Sequence, residues 1–323
     1  MSRLPEAGEV RRHALRVDAK LAGERLDRTL ARFFPQYSRT RLQGWIRIGQ
    51  VQVDGAVERS ARALLAAGQR VELEAVLEAV VDDRPEPIRL DIIHEDRDLL
   101  VVNKPPGLVV HPGAGNRDGT LVNALLYHAS GLSRLPRAGL VHRLDKDTSG
   151  LLVVAKTTAS HAALVAALAR REVRREYLAL VRGEVVAGER IEAPIGRHPT
   201  ARTKMAVTEH GRPAVTHTRV VERLHGFTLL AVRLESGRTH QIRVHLAHRG
   251  MPLVGDPVYG GRAGAPAGLS PAAREALAGF RRQALHARRL AFVHPRTGET
   301  LEFEADLPAD FAALIERLRA EVA

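Results

Sequence analysis

No cysteine occurs among the 323 residues. That absence excludes disulfides, thiolate-ligated zinc, iron–sulfur clusters and every mechanism that starts from a cysteine nucleophile. Lysine is scarce too: Lys20, Lys104, Lys146, Lys156 and Lys204 are the only five. Nearly all the positive charge is therefore guanidinium, which forks onto phosphate oxygens. No run approaches the ~18 apolar residues of a membrane span, and the opening MSRLPEAGEVRRHALRVD has no apolar signal core. A soluble, cytoplasmic protein with no membrane partner is expected. HPGAGNRDGT at 111–120 lacks the Gly-Lys-Ser/Thr ending of a phosphate-binding loop, and KDTSG at 146–150 lacks its upstream glycines. ATP or GTP use is not expected.

What the chain has is arginine, unevenly placed. Its 49 basic and 37 acidic side chains give a net charge of +12. Residues 1–70 carry 14 basic and 7 acidic groups, residues 71–99 carry 3 and 10, and residues 100–323 carry 32 and 20, so the segment nets are +7, −7 and +12. Two basic bodies joined by an acidic stretch suggest two modules on one polyanion, although a basic bias alone is common. The acidic stretch holds Pro85 and Pro87, which suit neither a helix interior nor a central strand. The spacing therefore predicts a small domain at 15–77, a linker at 78–90 and a large domain at 91–323.

In the small domain, Leu26, Leu30 and Phe33–Phe34 recur at helical spacing and Pro35 stops the first helix. Ser38 is placed to cap a second helix carrying Leu42, Trp45 and Ile46. Val51 and Val53 lead into an Asp54-Gly55 hairpin signal, with RVELE at 70–74 as a returning strand. Arg25, Arg28, Arg32, Arg39, Arg41 and Arg47 lie between the apolar positions. Such a face is either simply solvated or a nucleic-acid contact.

The large domain reads as α+β with a mixed, mainly antiparallel sheet. Short β-branched runs dominate it, and helical patterns are confined to about 159–171, 271–285 and 309–321. Three segments could carry chemistry. GLVHRLDKDTSGLLVVAKT at 139–157 sets His142, Arg143, Asp145, Lys146 and Asp147 on a polar loop between two apolar runs, a placement that suits a catalytic carboxylate. An Arg143–Asp145 structural ion pair is the plainer alternative. LESGRTHQIRVHLAHRGMPLVGDPVYG at 234–260 alternates like a strand, which would put His240, Ile242 and Val244 on one face and Gln241, Arg243 and His245 on the other. An arginine among apolar neighbours needs an anion, and Asp145 is the natural one. A metal bound by His240 and His245 is a rival that opposite faces disfavour. In REYLALVRGEV at 175–185, Tyr177 starts a strand and is plain core unless the other segments partner it.

The unit RLDRTLARFFPQYSRTRLQGWIRIGQVQVDG resembles the S4 RNA-binding domain. Behind it, HRLDKDTSG, REYLALVRG and SGRTHQIRVHLAHRGMPLVGDPVYGG, supported by NKPPGLVVHPGAGN, RHPTARTKMAV and FRRQALHA, resemble in order and spacing the RluA family of pseudouridine synthases. The resemblance implies an isomerase that converts uridine to pseudouridine without cofactor or metal. It makes Asp145 the essential aspartate, Arg243 its basic partner and Tyr177 the aromatic against the base. Arg143 is then the arginine that enters the RNA stack, with His142, Arg238, His240 and Arg25, Arg28, Arg39, Arg41 and Arg47 as further RNA contacts. Ser149 and Ser236 stand where threonine is usual, and both keep the hydroxyl. The partner implied is 23S ribosomal RNA or a precursor large-subunit particle, with the helix 69 stem-loop as target and a monomer as the working form. The missing cysteine also separates this reaction from methylation at pyrimidine C5, which uses a thiolate. Two other classes remain as rivals: a non-catalytic RNA-binding assembly factor, and a nucleosidase that would release free uracil.

Overall fold

A computed structural model describes residues 10–35, 37, 39–76, 84–113, 116–201, 204–261 and 266–321. The chain divides into two compact units, one within residues 1–82 and one within 83–323.

The first unit comprises β1 (Val10–Arg16), α1 (Leu26–Phe33), α2 (Arg39–Ile48), β2 (Val51–Val53), β3 (Ala56–Val57) and β4 (Arg70–Val76). Its strands run in the order β1-β4-β2-β3. Leu26 and Leu30 bury one stripe of α1 against Leu42, Trp45 and Ile46 of α2 and against Val51, Val71 and Leu73 of the sheet. Each such leucine contributes about 2 kcal/mol of burial. Asp54 and Gly55 both adopt positive φ, 50° and 82°, as a two-residue hairpin turn of primed type requires. Ser38, the expected cap of α2, lies outside the described residues.

The second unit contains β5 (Ile92–Glu95), β6 (Leu99–Lys104), α3 (Leu121–His128), β7 (Ser149–Ala155), α4 (Thr158–Ala169), β8 (Arg174–Arg182), β9 (Arg190–Glu192), β10 (Ile195–Arg197), β11 (Met205–Val207), β12 (Val215–Leu224), β13 (Phe227–Leu234), α5 (Gln241–His248), α6 (Pro271–Gly279), β14 (Leu285–Val293), β15 (Thr300–Glu304) and α7 (Ala309–Arg319). Nine strands form one sheet, ordered β5-β6-β7-β14-β8-β13-β12-β9 with β15 paired to β14. Only the β7–β14 pairing is parallel among the described strands. The alternation of β6 and β7 divides their side chains between two cores. Leu100, Val102, Leu152 and Val154 join one cluster, and Leu99, Val101, Leu151 and Val153 the other. Both faces of the sheet are thus covered, which is why β7 is apolar at every position after Gly150.

The structure corrects two expectations. HQIRVH is not a strand: Gln241–His248 is helix α5. The two-residue alternation arises because Ile242 and Leu246, four apart on one helix face, enter the central cluster, while Val244 faces a separate small cluster with Ile195 and Ala214. The helix expected over 271–285 ends at Gly279, and Leu285 onward is β14. The linker expected at 78–90 has residues 78–83 outside the described set, and its remainder is bonded to the second unit. Asn123 Nδ2 donates to Arg84 O at 2.9 Å, Glu86 N–H to Asn123 O at 3.1 Å, and Gly119 N–H to Glu86 Oε1 at 3.0 Å.

Candidate active site

Sheet register brings the three chemical segments together. In β14, Ala287 pairs with Gly150 of β7 on one side and with Tyr177 of β8 on the other. The entry to β7, where the Asp145 loop arrives, therefore lies two strands from Tyr177, about 10 Å by strand spacing. The parallel approach demands glycine: Gly150 has φ +111°, and a Cβ there would stand 2.2 Å from Ala287 O. On the far side of β8, β13 runs out into residues 235–240 and then α5, returning Arg243 to the same place.

The Asp145 loop is pinned from behind. Leu144 is buried in the central cluster, so Arg143 and Asp145 flanking it turn outward. Thr148 N–H donates to Asp145 O at 3.1 Å, and Gln283 Nε2 donates to Thr148 Oγ1 at 3.1 Å. Arg282 forks onto Asp310 and also donates to Asp147 O at 3.2 Å. Lys104 is buried and donates to three carbonyls, Pro105 O at 2.7 Å, Leu108 O at 2.9 Å and Lys146 O at 2.8 Å. Burial lowers its pKa to about 7, against the partial support of Asp147 and Asp145.

Arg243 is nearly inaccessible and faces two carboxylates. Its Nε and Nη2 fork onto Asp256 at 2.7 and 2.9 Å, and its Nη1 donates to Asp145 Oδ2 at 2.9 Å. Asp256 Oδ1 also accepts the backbone N–H groups of Val258 and Tyr259 at 2.8 and 3.0 Å. Burial works against the Asp256 anion, yet the bonds from Arg243 and the two amides hold its pKa below the usual carboxylate value. The guanidinium lies 5.0 Å from the centre of the Tyr259 ring. Asp145 is thus held through Oδ2, while Oδ1 is left toward the cavity, where His240 Nε2 lies 3.9 Å away. The alternative Arg143–Asp145 pair does not form: Arg143 is exposed, with no hydrogen-bond or ion-pair partner among the described residues.

Asp145, Tyr177, Arg243, Arg143, His142, Arg238 and His240 all line one cavity of about 780 Å³. Its described lining includes seven arginines against three carboxylates, a strongly anion-attracting bias. Tyr177 is buried, and burial raises the pKa of its phenol, so the ring enters any reaction protonated. His142 does not act as a surface cation. Its Nε2 accepts Val153 N–H at 3.3 Å, and burial together with Arg175 depresses its pKa to about 3. His245 is excluded as a metal ligand by its own bonds, Nδ1 with Thr216 Oγ1 at 2.9 Å and Nε2 with Ala193 O at 3.0 Å. Arg238 lends Nε to Pro213 O at 3.2 Å.

Sequence reasoning missed Asp256, Tyr259, Arg175 and Gln241. Gln241 saturates its amide: Oε1 accepts Ser236 O–H and Arg238 N–H, and Nε2 donates to Val215 O and Thr216 Oγ1. It thereby fixes the rim of the cavity. Arg175 stands two residues before Tyr177 on the same strand face, and its buried Nε has no partner among the described residues. The signal for Asp256 was available, since a buried guanidinium with five donors outstrips a single carboxylate.

In the first unit, Arg25 and Arg39 stay partly exposed, at 32% and 46% of their side chains, and bond a buried carboxylate. Asp27 is fully buried and accepts from Arg25 (3.1 and 3.0 Å), Arg39 (3.1 and 2.7 Å) and Gln43 (2.6 Å). Arg41 stacks over Trp45 at 5.7 Å, and Arg47 donates Nε to Gln43 O at 3.1 Å. Arg28 and Arg32 are exposed, with no side-chain bond to any described residue.

A carboxylate held by a buried arginine beside a protonated tyrosine, at the floor of an arginine-lined cavity, suits proton transfer or nucleophilic attack on a polyanion's bases or sugars. Comparison with known proteins agrees. Residues 98–248 match the RNA pseudouridylate synthase family. The chain is 50% identical over 305 residues to ribosomal large subunit pseudouridine synthase D of Haemophilus ducreyi, covering 94% of each chain. It is 52% identical over 306 residues to the protein of that name from Pseudomonas aeruginosa, covering 95% of each. Among solved structures it resembles human RNA pseudouridylate synthase domain containing 4, with TM-score 0.56 and 27% identity over 71% of this chain and 92% of that one. Human RNA pseudouridylate synthase domain containing 1 gives TM-score 0.53 and 30% identity over 68% and 84%. The chain belongs to the RNA pseudouridine synthase family, and it is an isomerase. No helix among the described residues is long and apolar enough to cross a membrane.

Proposed function

We propose that the chain isomerises uridine to pseudouridine in the RNA of the large ribosomal subunit, with the helix 69 stem-loop of 23S RNA as its target and the free RNA or a precursor particle as its partner. The observation that carries the reading is the Asp145–Arg243–Asp256 array beside Tyr177 in a cation-lined cavity. Its support is near-full-length similarity to relatives whose names specify the large subunit.

The target uridine leaves its stack at a cost of a few kcal/mol, and Arg143, unbonded among the described residues, fills the gap. Asp145, its Oδ2 bound by Arg243, acts through Oδ1 on the sugar or the base to break the N1–C1′ bond. The uracil turns and rejoins through C5, and loss of the C5 proton completes the change beside Tyr177. The first unit adds arginines such as Arg28 and Arg32 as an S4-like RNA-binding surface working as a monomer with the catalytic unit. Release of tritium from 5-tritiated uridine in a 23S transcript measures the reaction. Asp145→Asn should abolish it while leaving RNA binding intact, and carbodiimide mapping should find the new pseudouridines in helix 69. Full activity in Asp145→Asn would overturn the site, and pseudouridines only elsewhere would overturn the target.

A further inference from the structure

His240 adopts φ 56° and ψ 21°, a left-handed conformation that is uncommon outside glycine and that histidine, with asparagine and aspartate, takes more readily than other residues. This conformation is held in place by Gln241, whose N–H donates to Arg238 O at 3.1 Å while its Oε1 ties Ser236 and Arg238. Its effect is to set the imidazole between Tyr259 and Asp145. Nδ1 lies 2.9 Å from the Tyr259 hydroxyl, and Nε2 lies 3.9 Å from Asp145 Oδ1.

The tautomer is assigned from the surrounding bonds. Met205 N–H donates to the Tyr259 oxygen at 2.9 Å, which leaves the phenolic proton for His240 Nδ1. The opposite tautomer would strand that proton and aim a nitrogen lone pair at a carboxylate. Nε2 therefore carries the hydrogen, and it points at the oxygen of Asp145 that Arg243 does not hold. Burial lowers the pKa of His240, against partial opposition from Asp145, so the ring is neutral at pH 7. At 3.9 Å the two groups are too far apart for a direct hydrogen bond. Both line the same cavity, so an oxygen of the bound nucleotide can sit against each of them.

We propose that His240 is a substrate-contacting residue whose Nε2–H donates to the uracil O2 of the target uridine, and that Tyr259 is the positioning residue that fixes its tautomer. When the N1–C1′ bond breaks, its electron pair passes into the uracil ring and spreads to O2, while Asp145 either bonds to C1′ or takes a sugar proton. A fixed N–H at O2 stabilises that charge without giving up its proton. The inference rests on Asp145 being the reacting carboxylate.

The test variant is His240→Gly, because glycine accepts the left-handed backbone without strain. It should stay folded, leave KM for RNA nearly unchanged and lower kcat by about 10²–10³-fold, the usual effect of losing one such donor. His240→Gln, which can place an amide N–H near the Nε2 position, should recover most of the rate. Tyr259→Phe should lower kcat several-fold and shift the imidazole ¹⁵N resonances toward a tautomer mixture. A substrate carrying 2-thiouridine at the target should slow the wild type and slow His240→Gly no further. Wild-type kcat in His240→Gly, an effect confined to KM, or multiplying penalties from the thio substitution would each overturn the proposal. Asp145→Asn is run in parallel: activity there overturns the site itself, whereas a dead Asp145→Asn beside a fully active His240→Gly overturns only the role of His240.

Discussion

Arg243 and Asp256 meet through two parallel hydrogen bonds of 2.7 and 2.9 Å, and this fork leaves a single edge of the guanidinium for Asp145. The Asp145 carboxylate is therefore oriented by an arginine that is itself oriented by a second, fully buried carboxylate. Removing Asp256 would leave Arg243 buried without two of its three hydrogen bonds. Asp256→Ala is expected to cost about 3–5 kcal/mol of stability, as breaking one side of a buried pair does. Urea denaturation measures that loss. Asp256→Asn keeps one acceptor and the chain turn, so it should stay folded while tritium release falls steeply, because Arg243 can rotate away from Asp145. A folded Asp256→Asn variant with unchanged kcat would show that Asp145 needs no such support.

Gly150 gives a second prediction, on the link between sheet geometry and site. Its φ of +111° and the 2.2 Å that would separate an added methyl from Ala287 O leave no room for alanine. Gly150→Ala must push β7 from β14 at the point where the Asp145 loop ends. A loss of about 2–4 kcal/mol is expected from backbone strain and overpacking together, read by thermal melts. Activity should fall further than stability explains. A variant as stable as the parent would mean that the parallel pairing yields easily.

Much of this site was legible in the sequence because its chemistry lies in three short polar segments set between apolar runs. The Asp145–Arg243 pair could be anticipated from the need of a buried guanidinium for an anion, and the actual bond is 2.9 Å. The helix at 241–248 was not legible, since Ile242, Val244 and Leu246 satisfy a two-residue period as readily as two separate helical contacts. Tyr259 escapes a sequence reading because a Gly-Asp-Pro turn looks like loop chemistry, and the same turn masks Asp256 although the donor count of Arg243 calls for a second anion. The arginines of the first unit show a different limit. Composition marks Arg25 and Arg39 as surface cations, and only the fold reveals Asp27 buried beneath them.

The buried histidines predict the response to acid. Burial depresses His142 to about 3 and, with Arg137 and Arg143 nearby, His111 to about 4, both from 6.5. Between those values and pH 6.5 the unfolded chain holds more protons than the folded one, so stability rises with pH across that window. Their contribution is complete above pH 6.5 and is lost on acidification. The melting temperature should therefore drop between pH 6.5 and about 4, and His142→Gln, whose amide oxygen can still accept Val153 N–H, should flatten part of the slope. An unchanged slope would mean that His142 titrates alike in both states.

The first unit separates two kinds of arginine by measurement. Arg39 shares the buried Asp27 with Arg25 and Gln43, and those bonds outweigh burial to keep the Asp27 pKa low. Arg39→Ala should thus cost about 1–2 kcal/mol by removing a charge-assisted bond from a buried acceptor. Its effect on RNA binding should follow from that loss of structure. Arg28 is exposed and unbonded among the described residues, so Arg28→Ala should leave stability within about 0.5 kcal/mol. If Arg28 meets a phosphate, the same change lowers affinity for a 23S fragment and reduces the slope of log affinity against log salt by about 1. Equal salt slopes for Arg28→Ala and the parent would remove Arg28 from the RNA surface. Reduced slopes with full stability in Arg28→Ala and lost stability in Arg39→Ala would confirm that one helix pair divides its guanidiniums between RNA and its own core.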